Sequence, residues 1–419
     1  MSEHQSFGTP CDIPLRGVVV GEPFLYEDSS GDNWIAAGAG DGTLYVPSND
    51  SGGFRLAERV AEVLGLDAGE AATLNVYDPV YDPDGRTKAY LDRAAELGVE
   101  GSTIVFNEVV GDDPYGLDGR TITTMPDFYA LDQQTIEDAQ YFKRHGRLPG
   151  EQRNDRCTWK SSGCTVVDGA IYWALTRNGY GEMSGDPQFR ETQQNATIIA
   201  STDRGRTWSP TPADALRNPT FPGRSFAAPY FIDYGETTRR PHGGDRYVYA
   251  VSNNGFWDNG DTLVLGRVRR DRLSRLDYSD WQFLAGADGA DDTAWTASAG
   301  DARPILRRPG RLGRAGVSYL PERGRYLTIP WHYPAGSGKA QWPEPTGVTD
   351  ETVWEFYESP TPWGPWTQIG AHAFFPQGLY VPNILPRFQS RDLVHVLTGG
   401  DFRKPAEFYK MTIVPVELS

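Results

Sequence analysis

Short runs of alternating apolar and polar residues, separated by glycine-bearing turns, extend over most of the chain. The run NWIAAGAGDGTLYVPS (33–48) folds back on itself at Asp41-Gly42, because an Asp-Gly pair accepts the left-handed backbone of a tight hairpin. The same pattern returns in VVDGAIYWALTRNGYG around Asp168, YGETTRRPHGGDRYVYAVSNN around Asp245, LPERGRYLTIPWHYP around Arg323 and FQSRDLVHVLTGGD around Arg391. From Asp168 onward the turns recur roughly every 70 to 80 residues, long for a four-stranded unit but workable with insertions. Helical periodicity marks RLAERVAEVLGL (55–66), KAYLDRAAELG (88–98) and LDQQTIEDAQYFKRHG (131–146). The pattern predicts an all-β fold: a five-bladed β-propeller forming one domain over residues 1–419, with a partly helical insertion over about 54–150 after the first hairpin.

Composition fits that reading. Among 419 residues there are 47 Gly, 31 Pro and 12 Trp, a chain of turns and strand formers. The 56 acidic residues against 40 basic give a net charge of -16, which makes nucleic acid and anionic membranes poor partners. No stretch approaches the roughly 20 apolar residues of a membrane span. The start MSEHQSFGTPCDIPLRG lacks an apolar signal core, so the expectation is a cytoplasmic protein or numbering that begins after a removed signal. Cys11, Cys157 and Cys164 lack zinc-type spacing; a Cys157–Cys164 disulfide competes with the plainer reading of three thiols. Phosphate-cradling glycine loops and nucleophile elbows are missing as patterns, and DPDGR (82–86) lacks the spacing of a calcium loop. No cofactor or metal is expected, and the protein is read as a monomer.

If each turn joins the inner strand of a blade to its neighbour, residues before the first strand and after the second meet at the opposite rim. In the first hairpin, a two-residue turn pairing Gly40 with Thr43 sets Asn33 opposite Asp50, one step from Asp32. A slip at Pro47 would turn both carboxylates inward. The other blades bring Trp159 and Lys160; Arg177, Asn178 and Tyr180; Arg224; Asn253, Asn254, Trp257 and Asp258; Trp331, His332 and Tyr333; Glu358; and Tyr380 with Asn383 to the same rim. Aromatic rings beside amides and charges suit a sugar cleft, where rings pack on apolar sugar faces and polar groups take hydroxyls. Asn33 and Trp34 join this binding set. Cleaving a glycosidic bond needs one acid to protonate the leaving oxygen and a second carboxylate as base or nucleophile, which Asp32 and Asp50 can supply.

The segment STDRGRTW (201–208) matches the Asp-box of sialidase-type propellers, with Asp203 capping turn amides. The SGDNW start, the hairpin around Asp41, the exit Asp50, WKSSG (159–163), FPGRSFAAPYFIDYG (221–235), YVYAVSNNGFWDNGD (247–261) and YESPTPWGPWT (357–367) together resemble glycoside hydrolase family 183, the endo-D-arabinanases. The resemblance implies a five-bladed propeller that cuts the D-arabinan of mycobacterial cell walls with inversion, and so a polysaccharide partner met outside the cell. It also implies Asp32 as general base and Asp50 as general acid. Two rivals stand beside it. A propeller polysaccharide lyase acting on uronic acids would use His332 or Tyr333 as base and Arg177, Arg224 or Lys160 against the substrate carboxylate; a non-catalytic propeller would bind glycan on its aromatic rim without cutting.

Overall fold

The computed structural model describes residues 12–55, 103–145, 157–179, 191–237, 240–286, 294–334, 351–375, 378–400 and 409–419, with a few positions between 58 and 67. The helical stretch 88–98, the Asp-rich 82–86, Tyr180 and Cys11 lie outside the described residues.

The chain begins with two short strands, β1 (Val18–Val20) and β2 (Phe24–Leu25). The first blade follows as β3 (Ser29–Asp32), β4 (Ala37–Gly38), β5 (Leu44–Phe54), β6 (Ile104–Val110) and β7 (Asp118–Thr123). Helix α1 (Pro126–His145) leads to the second blade, β8 (Thr158–Val167), β9 (Ala170–Gly179) and β10 (Thr192–Ser201). The third runs from β11 (Tyr230–Phe231) through β12 (Tyr247–Asn253) and β13 (Thr262–Arg269) to β14 (Trp281–Leu284), β15 (Trp295–Thr296) and β16 (Pro304–Arg307). The fourth holds β17 (Val317–Leu320), β18 (Arg325–Thr328), β19 (Trp331–His332), β20 (Thr352–Ser359) and β21 (Thr367–Phe374). The fifth is β22 (Tyr380–Ile384), β23 (Leu393–Gly399) and β24 (Met411–Leu418).

All five predicted turns join the first strand of a sheet to the second. The first strands surround one axis: a narrow cavity is lined by Ile35, Gly163, Tyr230, Val317 and Asn383, one from each sheet's inner edge. The protein is therefore a five-bladed β-propeller. Its ring is closed without a covalent link, because β1 and β2 both pair with β24, Val18 opposite Leu418 and Phe24 opposite Ile413. Closure holds the ring of blades together, and each blade keeps short inner and outer edges of its own.

The insertion differs from expectation. Strands β6 and β7, at 104–123, are the outer strands of the first blade, paired in order with β5, so the helical part there is α1 alone among the elements of the described residues beyond 103. Helix α1 packs on the second blade through Phe128, whose ring meets Trp159 edge-on at 5.3 Å. Aromatic wedges fill the spaces between blades. Phe106 lies 4.8 Å from Trp208 and 5.5 Å from Trp173, locking the first blade to the second. Trp208 ends the STDRGRTW turn, where Asp203 Oδ1 accepts the N–H groups of Arg206 and Thr207 at 3.1 and 3.0 Å and Oδ2 accepts the Thr207 hydroxyl at 2.7 Å. Cys157 and Cys164 are buried thiols and form no disulfide with each other. Burial pushes the Cys164 thiol well above its ordinary value.

Candidate active site

The first hairpin is built differently from the simplest reading of its sequence. Ala39 N–H bonds Thr43 O at 2.9 Å, so the loop has three residues, Gly40-Asp41-Gly42, with both glycines left-handed and Asp41 Oδ1 accepting Thr43 N–H at 2.9 Å. Pro47 stays in register with Phe106 on one side; on the other, the register shifts by one across the Pro47 segment, between Ala37 opposite Tyr45 and Asp32 opposite Asn49, and by two at Gly31, between Asp32 opposite Asn49 and Ser30 opposite Gly53. Only glycine fits there: φ is +131° and a Cβ would stand 2.3 Å from Ser51 Oγ. The outcome sets Asp32 diagonally beside Asp50 at the rim opposite the turn. Two non-glycine residues here, Asn33 (φ 48°) and Asp50 (φ 37°), hold left-handed backbone, a conformation costing about 1 kcal/mol that clusters at functional sites.

Asp32 is buried. Tyr380, on the inner strand of the fifth blade, donates its hydroxyl to Asp32 Oδ2 at 2.6 Å, and Tyr409 bonds the same carboxyl. Burial and the neighbouring carboxylates push both phenols well above their ordinary range, and Asp50 acts on each beside Asp32, so the two acids share one electrostatic neighbourhood. Gly399, which ends β23, lets the fifth blade abut the site: a Cβ there would lie 3.0 Å from Asp32 Cα.

Asp50 is about one-third exposed and forms an ion pair with Lys160, whose ammonium is buried. Beside Lys160, the Ser161 backbone is bonded to Asn49 through its N–H and to Asn33 and Arg314 through its C=O. Arg314 is buried, its guanidinium 3.8 Å from the Trp257 ring centre. Burial pushes this guanidinium down, while Tyr230, Asp32, Glu191 and Tyr380 pull it back. Trp257, Trp331 and Tyr380, expected as rings of an open rim, instead form a continuous buried aromatic wall, with ring centres 5.7 to 6.4 Å apart.

The structure thus brings together Asp32, Asp50, Lys160, Asn33, Trp257, Trp331 and Tyr380 from the residues expected at the rim. Several others are engaged elsewhere. Trp34 is fully buried, donating to Gly31 O at 2.9 Å and packing on Phe54 within the wedge between the first and fifth blades. Trp159 is likewise core, under Arg177 at 4.5 Å. Arg177 is held by Asp132 of α1 at 2.8 Å and by Cys157 O, so it docks the helix. Burial pushes the Asp132 carboxyl up, against the pull of Arg177, Trp159 N–H and Thr103.

Asn178 donates to Glu191 at 3.4 Å, Arg224 to Gly255 O at 2.8 Å over the Phe256 ring, Asn253 to Phe256 O and Leu312 O, and Asn254 to Asp261 at 3.0 Å. These bonds shape the loops between β9 and β13. Asp258 is buried beside Gly313. Trp331 donates to Arg314 O at 3.0 Å, and Asn383 reaches Val381 O at 2.8 Å and Trp34 O at 3.5 Å. Arg311 donates to His332 Nε2 at 3.3 Å, and burial pushes that imidazole down to about 4. Glu358 pairs with Arg325 next to the 321–324 turn, at the far end of its blade from the rim.

Tyr409, Arg314 and Ser161 were not legible as site residues, whereas Asn49 was expected at this rim on the exit of the first hairpin. Arg314 directly precedes an inner strand, so the rim argument applied to RLGRAGVSYL could have found it; Tyr409 carries no local signal. Among the described residues no group of three or more His, Cys, Asp or Glu side chains could hold a metal ion.

No protein-family model matches the sequence, and no curated protein matches it. Among solved structures the chain is similar to a Bacteroides ovatus protein, with 13% identity, 94% of this chain and 87% of that chain covered, and a TM-score of 0.47. It is also similar to the catalytic domain of a Coprinopsis cinerea GH62 alpha-L-arabinofuranosidase (10% identity, 97% and 98% covered, TM-score 0.41) and to a GH43_1 enzyme from Xanthomonas citri (10% identity, 95% and 91% covered, TM-score 0.42). Likeness at this level carries nothing about chemistry; the propeller rests on its own five sheets about one axis.

Proposed function

We propose that the protein is a glycoside hydrolase that cleaves internal bonds of a neutral furanose polysaccharide, D-arabinan, by single displacement with inversion. One observation carries this reading: Asp32 and Asp50 stand side by side on paired strands at one end of the propeller axis, against a wall of Trp257, Trp331 and Tyr380. Two carboxyls in unlike surroundings are what acid–base cleavage of an acetal needs. The surroundings favour the reverse of the roles that the family resemblance implies. Asp50, held by the Lys160 ammonium and partly open to water, is the carboxylate that takes a proton from the attacking water. Asp32 protonates the leaving glycosidic oxygen, and the anion it becomes receives the Tyr380 hydroxyl. Water adds to the anomeric carbon as the C–O bond breaks, and the two acids then exchange the proton through solvent.

A lyase reading finds less support, because Arg177 faces Asp132, Arg224 holds Gly255 O and His332 Nε2 is occupied by Arg311. The deciding experiment incubates wild type and Asp50→Asn with mycobacterial arabinogalactan, following reducing ends and ultraviolet absorbance. Arabino-oligosaccharides from wild type alone support the reading. Equal activity in the variant removes Asp50 from the mechanism, unsaturated products would indicate a lyase, and no release from wild type rejects D-arabinan.

A further inference from the structure

Each carboxylate of the pair has an asparagine beside it in the chain: Asn33 follows Asp32 and Asn49 precedes Asp50. Both amides turn to the backbone of one residue of the neighbouring blade, Ser161, one to its N–H and the other to its C=O. Asn49 Oδ1 accepts Ser161 N–H at 2.7 Å, and Asn33 Nδ2 donates to Ser161 O at 2.9 Å. The same carbonyl accepts Arg314 Nη1 at 2.6 Å, and the Ser161 hydroxyl accepts Trp173 Nε1 at 2.6 Å. Strand β8 is the inner edge of its sheet, so backbone groups on its axial side have no strand partner there and are open to side chains. Lys160, one residue before Ser161, carries the ammonium that meets Asp50.

Arg314 is an expensive way to bond one carbonyl. It is 1% exposed, and its Nε and Nη2 have no hydrogen-bond partner among the described residues. A buried cation with no direct ion pair, supported by the Trp257 ring and the more distant fields of Tyr230, Asp32, Glu191 and Tyr380, is no gain in stability over an apolar residue of similar size. Its position is nevertheless fixed at both ends, by the Trp257 ring under the guanidinium and by Trp331 on its own carbonyl. Stability does not explain it; holding Ser161 does.

Resting on the glycosidase reading for its catalytic consequence, we propose that the Ser161 backbone, locked by Arg314, is the gauge that sets the spacing of Asp32 and Asp50, and that Arg314 is a positioning residue of that pair. Cleavage by two carboxyls is sensitive to their separation, since about 5 Å and about 6.5 to 9.5 Å belong to different mechanisms. One residue whose backbone N–H and C=O are bonded to the neighbours of both acids, and which directly follows Lys160, controls that distance directly.

The test uses Arg314→Met, Asn49→Ala and the conservative Arg314→Lys in the full chain, with melting curves to establish folding. Two readouts are taken: kcat and KM on arabinan, and acylation of Lys160 by acetic anhydride, quantified by mass spectrometry. Wild-type Lys160, 2% exposed, is expected to resist acylation. The expected result for Arg314→Met and Asn49→Ala is a fall in kcat of about 10²-fold with KM little changed, together with acylation of Lys160. Arg314→Lys recovers most of both. Either readout unchanged in a folded variant overturns the proposal, and if Arg314→Met does not fold, Asn49→Ala carries the same two readouts. Should wild type hydrolyse nothing, the glycosidase reading fails and Lys160 acylation alone decides: exposed in the variants, the clamp stands; protected, it falls.

Discussion

Replacing Tyr380 by Phe isolates what one hydroxyl does for Asp32. The ring stays between Trp257 and Trp331, while the hydroxyl and its 2.6 Å bond to Asp32 Oδ2 are lost. Hydrogen bonds to charged partners contribute about 1.5 to 3 kcal/mol, equivalent to about 10- to 150-fold in a rate if the whole interaction forms in the transition state. Asp32 as the acid starts neutral and develops its charge while the proton is in transit. Part of that energy is then available, and kcat is expected to fall about tenfold, with KM little changed because the sugar is bound elsewhere. The assay is steady-state release of reducing ends from arabinan, paired with an aryl arabinoside whose leaving group needs no proton; on that substrate the Phe variant should approach wild type. The contrast is directional. If Asp32 were the base, its charge would be lost in the transition state, and removing a donor that stabilises the anion would leave kcat unchanged or raise it. Either of those results, or an equal loss on both substrates, refutes the assignment of Asp32 as acid.

Two further outcomes follow from structural groups. Asp132 is fully buried and accepts bonds from Arg177, Trp159 N–H and Thr103 at 2.8, 2.6 and 3.0 Å, so Asp132→Ala strands the Arg177 cation and should cost about 3 to 5 kcal/mol in urea unfolding; a loss below about 1 kcal/mol would show that α1 is not docked this way. Asp203 is pulled down to about 2, first by the Thr207 hydroxyl and N–H and then by Ser201 and Arg206. A carboxyl lower in the folded than in the unfolded state stabilises above the unfolded value and loses that contribution as pH falls from about 4 to about 2. Asp203→Asn should therefore flatten the acid side of a Tm-against-pH curve, and parallel curves for the two proteins would contradict the capping role.

Much of the architecture was legible along the chain because turns and strands are short-range. Asp-Gly at 168–169, the longer connections near Asp245 and Arg391 and the alternating runs beside them carry their conformational preferences in a few residues, and all five turns join the strands they were expected to join. The stretch 104–123 misled because its strands are defined by pairing with β5 across an excursion of some fifty residues, not by a nearby turn. The nearness of Asp32 and Asp50 was also legible, since hairpin pairing is local, but the place of the larger slip was not. Gly31 could be recognised as its cause only once Ser51 stood against it.

What the sequence determined by itself was the blade count, the rim at which to look and the two acids on one hairpin, all consequences of backbone preference and strand alternation. What only the tertiary structure decided was which side chains serve each acid. Trp34 and Trp159 share the composition of a sugar-binding rim yet fill the gaps between blades, while Tyr380, Tyr409, Lys160 and Arg314 reach Asp32, Asp50 and the Ser161 backbone from distant parts of the chain. The physical reason is ring closure: pairing β1 with β24 fixes the rotation of every blade about the axis, and that rotation, which no local pattern encodes, selects the residues that face the carboxylates.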